Sequence, residues 1–324
     1  MTLPATVTKL KRSLSENARE IRAILVVACL TLACGVARSA SLPLPHYIVS
    51  DYHGDQIRRY DAVTGNYIDT LAEIPNAAEM VVGPDGFLYV SDFQGRRIHR
   101  VNMDTGASTV FIEGGTLANP RGIIFGPNGN LFARGSDQIN EYDSGTGAFL
   151  GAFTSGPAME APIAFRFGPD GTLYVVRGYS PGDHTVVKFD STGQYVAEFG
   201  AAYIHKPQNI VLGPDGDLYV ANQQSPTDLD IVQFDGRTGA FIRTVVSDPL
   251  MSNPLGLYFR NDGSLLVASG DQRIRTYDVQ TGAYTGDFVN DPQLVFASSL
   301  LLVPEPSGVA ILLIGLGVVI RRRR

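Results

Sequence analysis

The sequence predicts an all-β fold, a six-bladed β-propeller with four-stranded blades, from two repeated turn motifs and the short apolar segments between them. The first motif is Gly-Pro-Asp-Gly followed by Leu-Tyr-Val. Intact or degraded copies have their second glycine at positions 86, 129, 171, 216 and 263. Repeats of about 40 to 50 residues are typical of propeller blades and solenoid units. The motif therefore indicates one large repeat domain.

The second motif is an Asp or Asn that precedes a Thr-Gly pair, and it marks six units. The Thr-Gly pairs are at positions 64–65, 105–106, 146–147, 192–193, 238–239 and 281–282. Aspartate in such turns accepts hydrogen bonds from nearby backbone N–H groups, and glycine tolerates the positive φ that the turn needs. The turns explain these aspartates without a catalytic role.

Four short apolar segments separate the turns of each unit and are predicted to be strands. In the second unit they are residues 79–82, 87–91, 98–102 and 108–112. Segments of this length, β-branched or aromatic and bounded by Gly, Pro and Asp, are typical of strands. Because neighbouring blades cover both faces of each sheet, near-continuous apolar runs such as residues 122–125 are expected. Four strands in each of six units make a six-bladed propeller.

The two ends of the repeat region are expected to close the ring. Residues 47–51 match residues 88–92, so the first unit lacks an innermost strand. Residues 297–303 match the strand that precedes each Gly-Pro-Asp-Gly. We expect them to pair into the first blade and remove its open edge. The whole motif set resembles NHL-repeat propellers over nearly all of residues 40–303, which implies the fold and not an activity.

Residues 1–39 are predicted to be a signal peptide. Five basic residues between positions 9 and 22 precede an apolar run at 23–33, and residues 37–39 include small residues for cleavage. A buried helix and a lipoprotein signal at Cys29 are the alternatives. Both cysteines, Cys29 and Cys34, lie in this segment. Residues 40–303 therefore contain neither a disulfide nor a thiolate metal site.

Residues 304–324 carry a Pro-Glu-Pro triplet, an uncharged and mostly apolar run at 307–320, and four terminal arginines. A helix over that run would span about 21 Å, which is shorter than the roughly 30 Å hydrocarbon core of a bilayer. The arginines would remain on the cytoplasmic side. In this order the three parts resemble the PEP-CTERM sorting signal of Gram-negative bacteria. The residues that match its sorting and processing elements are Pro304, Glu305, Pro306, Arg321, Arg322, Arg323 and Arg324.

The PEP-CTERM resemblance implies export from a Gram-negative bacterium, transient anchoring in the inner membrane by a short transmembrane helix, and processing by an exosortase. The mature protein would be at the cell surface or outside the cell, in bacteria that build exopolysaccharide or biofilm matrix. The charge suits this location, because residues 40–303 contain 16 basic and 29 acidic residues, a net charge of −13. An acidic body argues against nucleic acid and anionic membrane surfaces as partners.

Chain direction predicts which connections share a face of the ring. The Gly-Pro-Asp-Gly and Thr-Gly turns lie on one face, which we call the turn face. The remaining connections lie on the opposite, variable face, and they are long at residues 177–184 and 222–228. Long neighbouring loops on a rigid ring favour recognition, and loop drift without function is the alternative. The polar residues expected at the mouth of the central channel, as a ligand site or a water-filled channel, are Glu79, Arg121, Gln208, Asn209, Ser298 and Ser299.

Three functions agree with these patterns. The first is a non-enzymatic extracellular propeller that binds a polysaccharide or a surface protein through its variable face. Tyr179 would stack on a sugar ring, and Arg121 would bind an acidic sugar. The other side chains expected to form hydrogen bonds with the ligand are His184, Gln208, Asn209, Gln223 and Gln224. A purely structural surface protein, with no ligand on either face, is the third.

The second function is a calcium-dependent lactonase or lyase. Six-bladed lactonases of the gluconolactonase type hold a metal at the channel mouth with Glu, Asn and Asp, and this resemblance implies Glu79 and Asn209 as oxygen ligands suited to calcium. However, the positions that supply Asn-Gly or Asp-Gly in that family read Arg121-Gly122 and Leu255-Gly256 here. Streptogramin-lyase propellers share the turn motif, but the five histidines form no matching set. Calcium is therefore not required, and a binding protein is favoured over an enzyme.

Overall fold

The computed structural model describes residues 45–155, 159, 162–178, 184–225 and 228–304, with only the backbone of residues 224, 225 and 228. All regular elements in these residues are strands, arranged in six four-stranded antiparallel sheets. The innermost strands of neighbouring sheets contact each other around the ring. The predicted six-bladed propeller is therefore confirmed.

The strands follow the chain in order, four to a blade. Blade 1 contains β1 (His46–Asp51), β2 (Gln56–Asp61), β3 (Tyr67–Glu73) and the C-terminal β24 (Ala297–Val303). Blade 2 contains β4 (Ala77–Val82), β5 (Leu88–Asp92), β6 (Arg97–Val101) and β7 (Ser108–Glu113). Blade 3 contains β8 (Ile123–Phe125), β9 (Leu131–Arg134), β10 (Ile139–Tyr142) and β11 (Phe149–Ala152). The strands of blade 2 differ from the predicted bounds by at most two residues.

The second half of the ring has the same organisation. Blade 4 contains β12 (Pro162–Phe167), β13 (Leu173–Arg177), β14 (Thr185–Phe189) and β15 (Tyr195–Phe199). Blade 5 contains β16 (Pro207–Leu212), β17 (Leu218–Ser225), β18 (Asp228–Phe234) and β19 (Phe241–Ser247). Blade 6 contains β20 (Pro254–Phe259), β21 (Ser264–Ser269), β22 (Arg273–Asp278) and β23 (Tyr284–Asn290).

Ring closure by the C-terminal strand is confirmed. Strand β24 pairs antiparallel with β1, from His46 opposite Val303 to Asp51 opposite Ala297. It becomes the innermost strand of blade 1, in the order β24-β1-β2-β3. The pairing gives β1 a partner on both sides, so no buried strand edge is left open.

The hydrophobic core lies between the blades. The strand second from the channel is buried along its whole length in blades 1 to 3, because neighbouring sheets pack on both of its faces. One cluster, for example, joins Tyr47 and Val49 of blade 1 to Leu266 and Ala268 of blade 6. Burial of this kind explains the near-continuous apolar runs in the sequence.

The Gly-Pro-Asp-Gly motif is explained by the tyrosine that follows it. The Tyr89 hydroxyl donates a hydrogen bond of 2.9 Å to Asp85 Oδ2, and burial raises the pKa of Tyr89 to about 12, so the donor proton is retained. A Cβ on Gly83 would lie 2.5 Å from the Tyr89 ring. The first glycine therefore makes room for the ring, and the aspartate accepts the bond from its hydroxyl.

The Thr-Gly turns hold neighbouring blades together as well as reversing the chain. Asp61 Oδ1 accepts hydrogen bonds from the Val63 and Thr64 N–H groups and from the Thr64 hydroxyl. Gly65 has a φ of 71°, and a Cβ there would lie 1.8 Å from the backbone oxygen of Phe288 in blade 6. Glycine is thus needed both for the backbone conformation and for close contact between blades.

The predicted long loop at residues 222–228 is wrong. Strand β17 continues to Ser225, and β18 begins at Asp228, with Asn222 opposite Asp230 and Gln223 opposite Leu229. The polar side chains suggested a loop, but the two backbones satisfy each other's hydrogen bonds in an extended hairpin. The other predicted long connection, residues 177–184, includes residues 179–183, which lie outside the described part of the chain.

Both predicted sorting segments also fall outside the described residues, apart from Pro304. They are the signal peptide at residues 1–39 and the PEP-CTERM-like tail that continues to Arg324. Within the residues that the structure describes, no helix is long and apolar enough to cross a membrane.

Candidate functional site

Buried polar residues at the ends of the second strands hold the connections of the variable face in place. Asp51, at the end of β1, is fully buried. Its Oδ1 accepts a hydrogen bond of 2.8 Å from Phe296 N–H, and its Oδ2 accepts one of 3.0 Å from Val295 N–H. In blade 5, Asn222 accepts a bond from His205 N–H and donates one to Tyr203 O. These bonds explain why an Asp or Asn follows the Leu-Tyr-Val segment.

Three aromatic residues next to such anchored positions form a cavity on the variable face. Tyr52 and Phe93 directly follow β1 and β5, and Phe296 directly precedes β24. The Tyr52 ring centroid lies 6.3 Å from that of Phe93 and 5.9 Å from that of Phe296. The cavity has a volume of about 150 Å³ and is lined by Tyr52, Ala78, Phe93, Arg121, Phe296 and Ser298. We call it the mouth pocket.

Backbone hydrogen bonds fix the positions of the aromatic residues. Tyr52 N–H donates to Phe296 O at 2.9 Å, and Phe93 N–H donates to Asn76 O at 3.2 Å. The Asn119 side-chain amide donates to Phe93 O at 3.1 Å. This last bond holds the connection that carries Arg121 against the backbone of Phe93. A pocket built this way loses little conformational entropy when it binds a ligand.

Two polar side chains of the mouth pocket have no partner among the described residues. Arg121 and Ser298 are partly buried residues, and neither the guanidinium nor the hydroxyl makes a hydrogen bond or an ion pair there. Two more deeply buried arginines are paired. Arg58 lies 3.1 Å from Asp291, and Arg275 lies 2.8 Å from Asp271. Among the described residues, the pocket therefore offers an unpaired cation beside an aromatic surface.

A second polar cluster lies deeper, where innermost strands from several blades meet. Arg166 of β12 places Nη2 3.2 Å from Glu79 Oε1 of β4 and 3.4 Å from Asn209 Oδ1 of β16. The Ser299 hydroxyl of β24 donates to Glu79 Oε1 at 3.4 Å. Asn209 Oδ1 also accepts a bond from Ile210 N–H, and its amide nitrogen donates to Leu255 O. We call Glu79, Arg166, Asn209 and Ser299 the channel cluster.

The channel cluster does not fit a calcium ion. Glu79 and Asn209 are brought together, as the lactonase hypothesis requires, but the Arg166 guanidinium contacts an oxygen atom of each. Arg166 is already paired with Glu79, the only carboxylate of the cluster. Its positive charge would repel a divalent cation at this place. In the described part of the chain, no three His, Cys, Asp or Glu side chains are grouped to hold a metal.

Sequence reasoning had assigned this repulsion to Arg121 and missed Arg166. The sequence does contain a signal, because Arg166 is the one charged residue in the innermost strand Pro162–Phe167. Its partners, however, are 87 and 43 residues away in the chain. No local pattern shows that the three side chains meet in the channel.

The other residues predicted to bind a ligand lie in blades 4 and 5, outside the mouth pocket. Gln208, at the start of β16, donates to Lys206 O at 3.0 Å. Gln223 lies on β17, where its backbone N–H donates to His205 O at 3.0 Å, and Gln224 is on the same strand. His184 directly precedes β14. Tyr179 lies outside the described residues, so a role for it stays a prediction.

Larger cavities lie on the turn face, between blades. Their volumes are about 300, 320 and 380 Å³, and the turn-motif residues Pro127, Pro169 and Pro214 are among those that line them. Because the repeat itself produces these clefts wherever two turn motifs meet, they are weaker candidates for a specific site than the mouth pocket.

No protein-family model matches this chain, and no curated protein is similar to it in sequence. Solved structures match along most of its length. A protein of unknown function from Bacteroides caccae is 13% identical with a TM-score of 0.63, covering 81% of this chain and 100% of its own. A chain of the nidogen/laminin complex is 12% identical with a TM-score of 0.61, covering 80% of this chain and 98% of its own.

Two further matches bear lactonase names. A gluconolactonase from Xanthomonas campestris is 20% identical with a TM-score of 0.53, covering 68% of this chain and 80% of its own. A putative 6-phosphogluconolactonase from Bacteroides uniformis is 18% identical with a TM-score of 0.55, covering 82% and 86%. These likenesses establish the propeller fold. At such low identity, activity does not follow from fold.

Proposed function

We propose that this protein is an exported, non-enzymatic β-propeller that binds a polysaccharide of the cell surface or biofilm matrix at the mouth pocket. The observation that carries the proposal is the grouping of Tyr52, Phe93 and Phe296 around one cavity on the variable face. Sugar rings present C–H groups on their faces and hydroxyls at their edges. Aromatic side chains with a few polar neighbours complement that chemistry.

The ends of the chain support the proposed location. The basic and apolar segment at residues 1–39 is that of an export signal, and residues 304–324 have the order of parts of a PEP-CTERM signal. In this proposal an exosortase processes the membrane-anchored precursor, and the acidic propeller is released to the cell surface or beyond.

Substitution of the mouth-pocket aromatics tests the binding site. Tyr52→Ala and Phe93→Ala should each weaken polysaccharide binding about fivefold, since one aromatic contact contributes about 1 kcal/mol. The measurement is a glycan array and an exopolysaccharide pull-down, followed by titration of the best ligand. Tyr195→Ala, which removes a half-exposed aromatic from the outer strand β15, is the matched control and should bind normally.

A protein that binds no glycan, or whose binding is the same in all three variants, would contradict the proposal. Absence of any ligand on either face would instead favour a purely structural role. Binding that is lost in a Tyr179→Ala variant and retained in Tyr52→Ala would move the site to blade 4.

The alternative is a calcium-dependent lactonase or lyase, and the channel cluster argues against it. Arg166 already neutralises Glu79 at the place where the cation would bind. Calorimetric titration should therefore detect no calcium binding that depends on Glu79 or Asn209. Calcium binding that disappears in Glu79→Gln would revive the enzyme hypothesis.

A further inference from the structure

We infer that the mouth pocket selects sugars that carry a carboxylate, as in the uronic acid units of acidic polysaccharides, and that Arg121 recognises this group. The inference rests on the proposed function, because the pocket must first bind a sugar. It adds the chemical class of the ligand and the residue that determines it.

The state of Arg121 is the first observation. Arg121 is a partly buried residue that lines the cavity, and its guanidinium has no hydrogen-bond or ion-pair partner among the described residues. A partly buried charge without a partner is costly in a folded protein. The other arginine in the described residues whose side chain has neither kind of partner, Arg237, is exposed to solvent, where the cost is small. An anionic ligand would supply the partner that Arg121 lacks.

Two carboxylates of blade 2 adjoin residues that line the mouth pocket, and both already have partners. Asp92 adjoins Phe93, and its Oδ1 accepts a hydrogen bond of 2.7 Å from Gly95 N–H. Glu79 adjoins Ala78. Its charge is taken by Arg166 at 3.2 Å, with the Ser299 hydroxyl as an additional donor. The ion pair therefore neutralises a carboxylate that would otherwise repel an anionic ligand.

The arrangement of groups in the pocket complements one unit of an acidic sugar. The three aromatic rings provide the surface for the sugar ring, and the Ser298 hydroxyl is available for a ring hydroxyl. The planar guanidinium of Arg121 matches a carboxylate, which it can bind through two parallel hydrogen bonds. The volume of about 150 Å³ is below the roughly 300 to 1,000 Å³ of pockets for drug-sized ligands, so it leaves room for no more than one sugar ring.

The decisive experiment compares matched ligands and matched variants of the full-length protein. The probes are oligosaccharides of galacturonate, glucuronate and mannuronate, each beside its carboxyl-reduced, neutral counterpart. Isothermal titration of the unmodified protein should show at least one oligouronate binding tenfold or more tightly than its neutral counterpart. This is the scale expected for a charge-assisted hydrogen-bonded pair.

Arg121→Gln should remove that preference, so that the acidic and neutral ligands bind with similar affinity. Arg237→Gln makes the same change of charge in a Thr-Gly turn on the opposite face and should keep the preference. Equal melting temperatures of the variants show that the fold is retained.

The outcomes separate this inference from the proposed function. Equal binding of acidic and neutral sugars by the unmodified protein would overturn the inference and leave the proposed function standing. Failure of every one of these oligosaccharides to bind would overturn the inference, and a blank glycan array and pull-down as well would overturn the proposed function. A preference that survives in Arg121→Gln would also overturn the inference.

Discussion

At the scale of single residues, the aspartates of the Thr-Gly turns make the fold sensitive to acid. Asp278 Oδ1 accepts hydrogen bonds from the Thr281 N–H at 2.7 Å and the Thr281 hydroxyl at 2.8 Å. These bonds hold the pKa of Asp278 below its usual value of 3.8. The aspartates of equivalent turns whose pKa is lowered in the same way are Asp61, Asp143, Asp190 and Asp235.

A lowered folded-state pKa stabilises the protein above the unfolded-state pKa, and this stabilisation is lost as the pH falls through the folded value. The free energy of unfolding should therefore decrease as the pH falls below the usual aspartate pKa and through the lower folded-state pKa values. Asp278→Asn should reduce the slope of this decrease, because an amide accepts the same bonds without titrating. The measurement is urea unfolding as a function of pH.

Blade 2 provides the matched control for this prediction. Asn102 already occupies the equivalent position and accepts hydrogen bonds of 2.9 Å from the Asp104 and Thr105 N–H groups. Asn102→Asp should therefore make the slope steeper. Slopes that are unchanged in both variants would show that the turn aspartates do not govern the acid response.

At the scale of secondary-structure elements, strand β24 determines whether the ring closes. It pairs along all of β1, contacts β20 and β4 on either side, and buries Ala297 and Leu300. A chain that ends at Phe296 should lose its cooperative thermal transition and associate through the exposed edge of β1. A chain that ends at Pro304 keeps β24 and should melt as the full-length protein does.

Calorimetry and size-exclusion chromatography distinguish these two truncations. If the chain ending at Phe296 melts cooperatively as a monomer, at the same temperature as the chain ending at Pro304, then β24 is not needed for closure.

The elements were predictable to different degrees, for physical reasons. The turns and strands repeat because each blade must meet the same requirements, such as space for the Tyr89 ring above Gly83. Closure by residues 297–303 was predictable because that segment matches every other innermost strand. The hairpin of blade 5 was predicted to be a loop because Gln223 and its neighbours are polar. Their backbone nevertheless pairs as a strand.

At the scale of the whole molecule, the two faces of the ring have different chemical character. The turn face carries copies of the same two turn motifs around most of the ring, so its clefts are similar. The variable face carries the residues that differ between blades, and Tyr52, Phe93 and Arg121 lie together there. Sequence reasoning named Arg121 but not its aromatic neighbours. The pocket is assembled from residues of blades 1, 2 and 3 that are distant in the chain.

The measurement that tests the central claim most directly is a crystal structure of the protein with a bound oligouronate. We predict one sugar ring against Tyr52, Phe93 and Phe296, with its carboxylate paired to the Arg121 guanidinium. A ligand bound instead at the blade 4 and blade 5 connections, or in the clefts of the turn face, would contradict this assignment of the site.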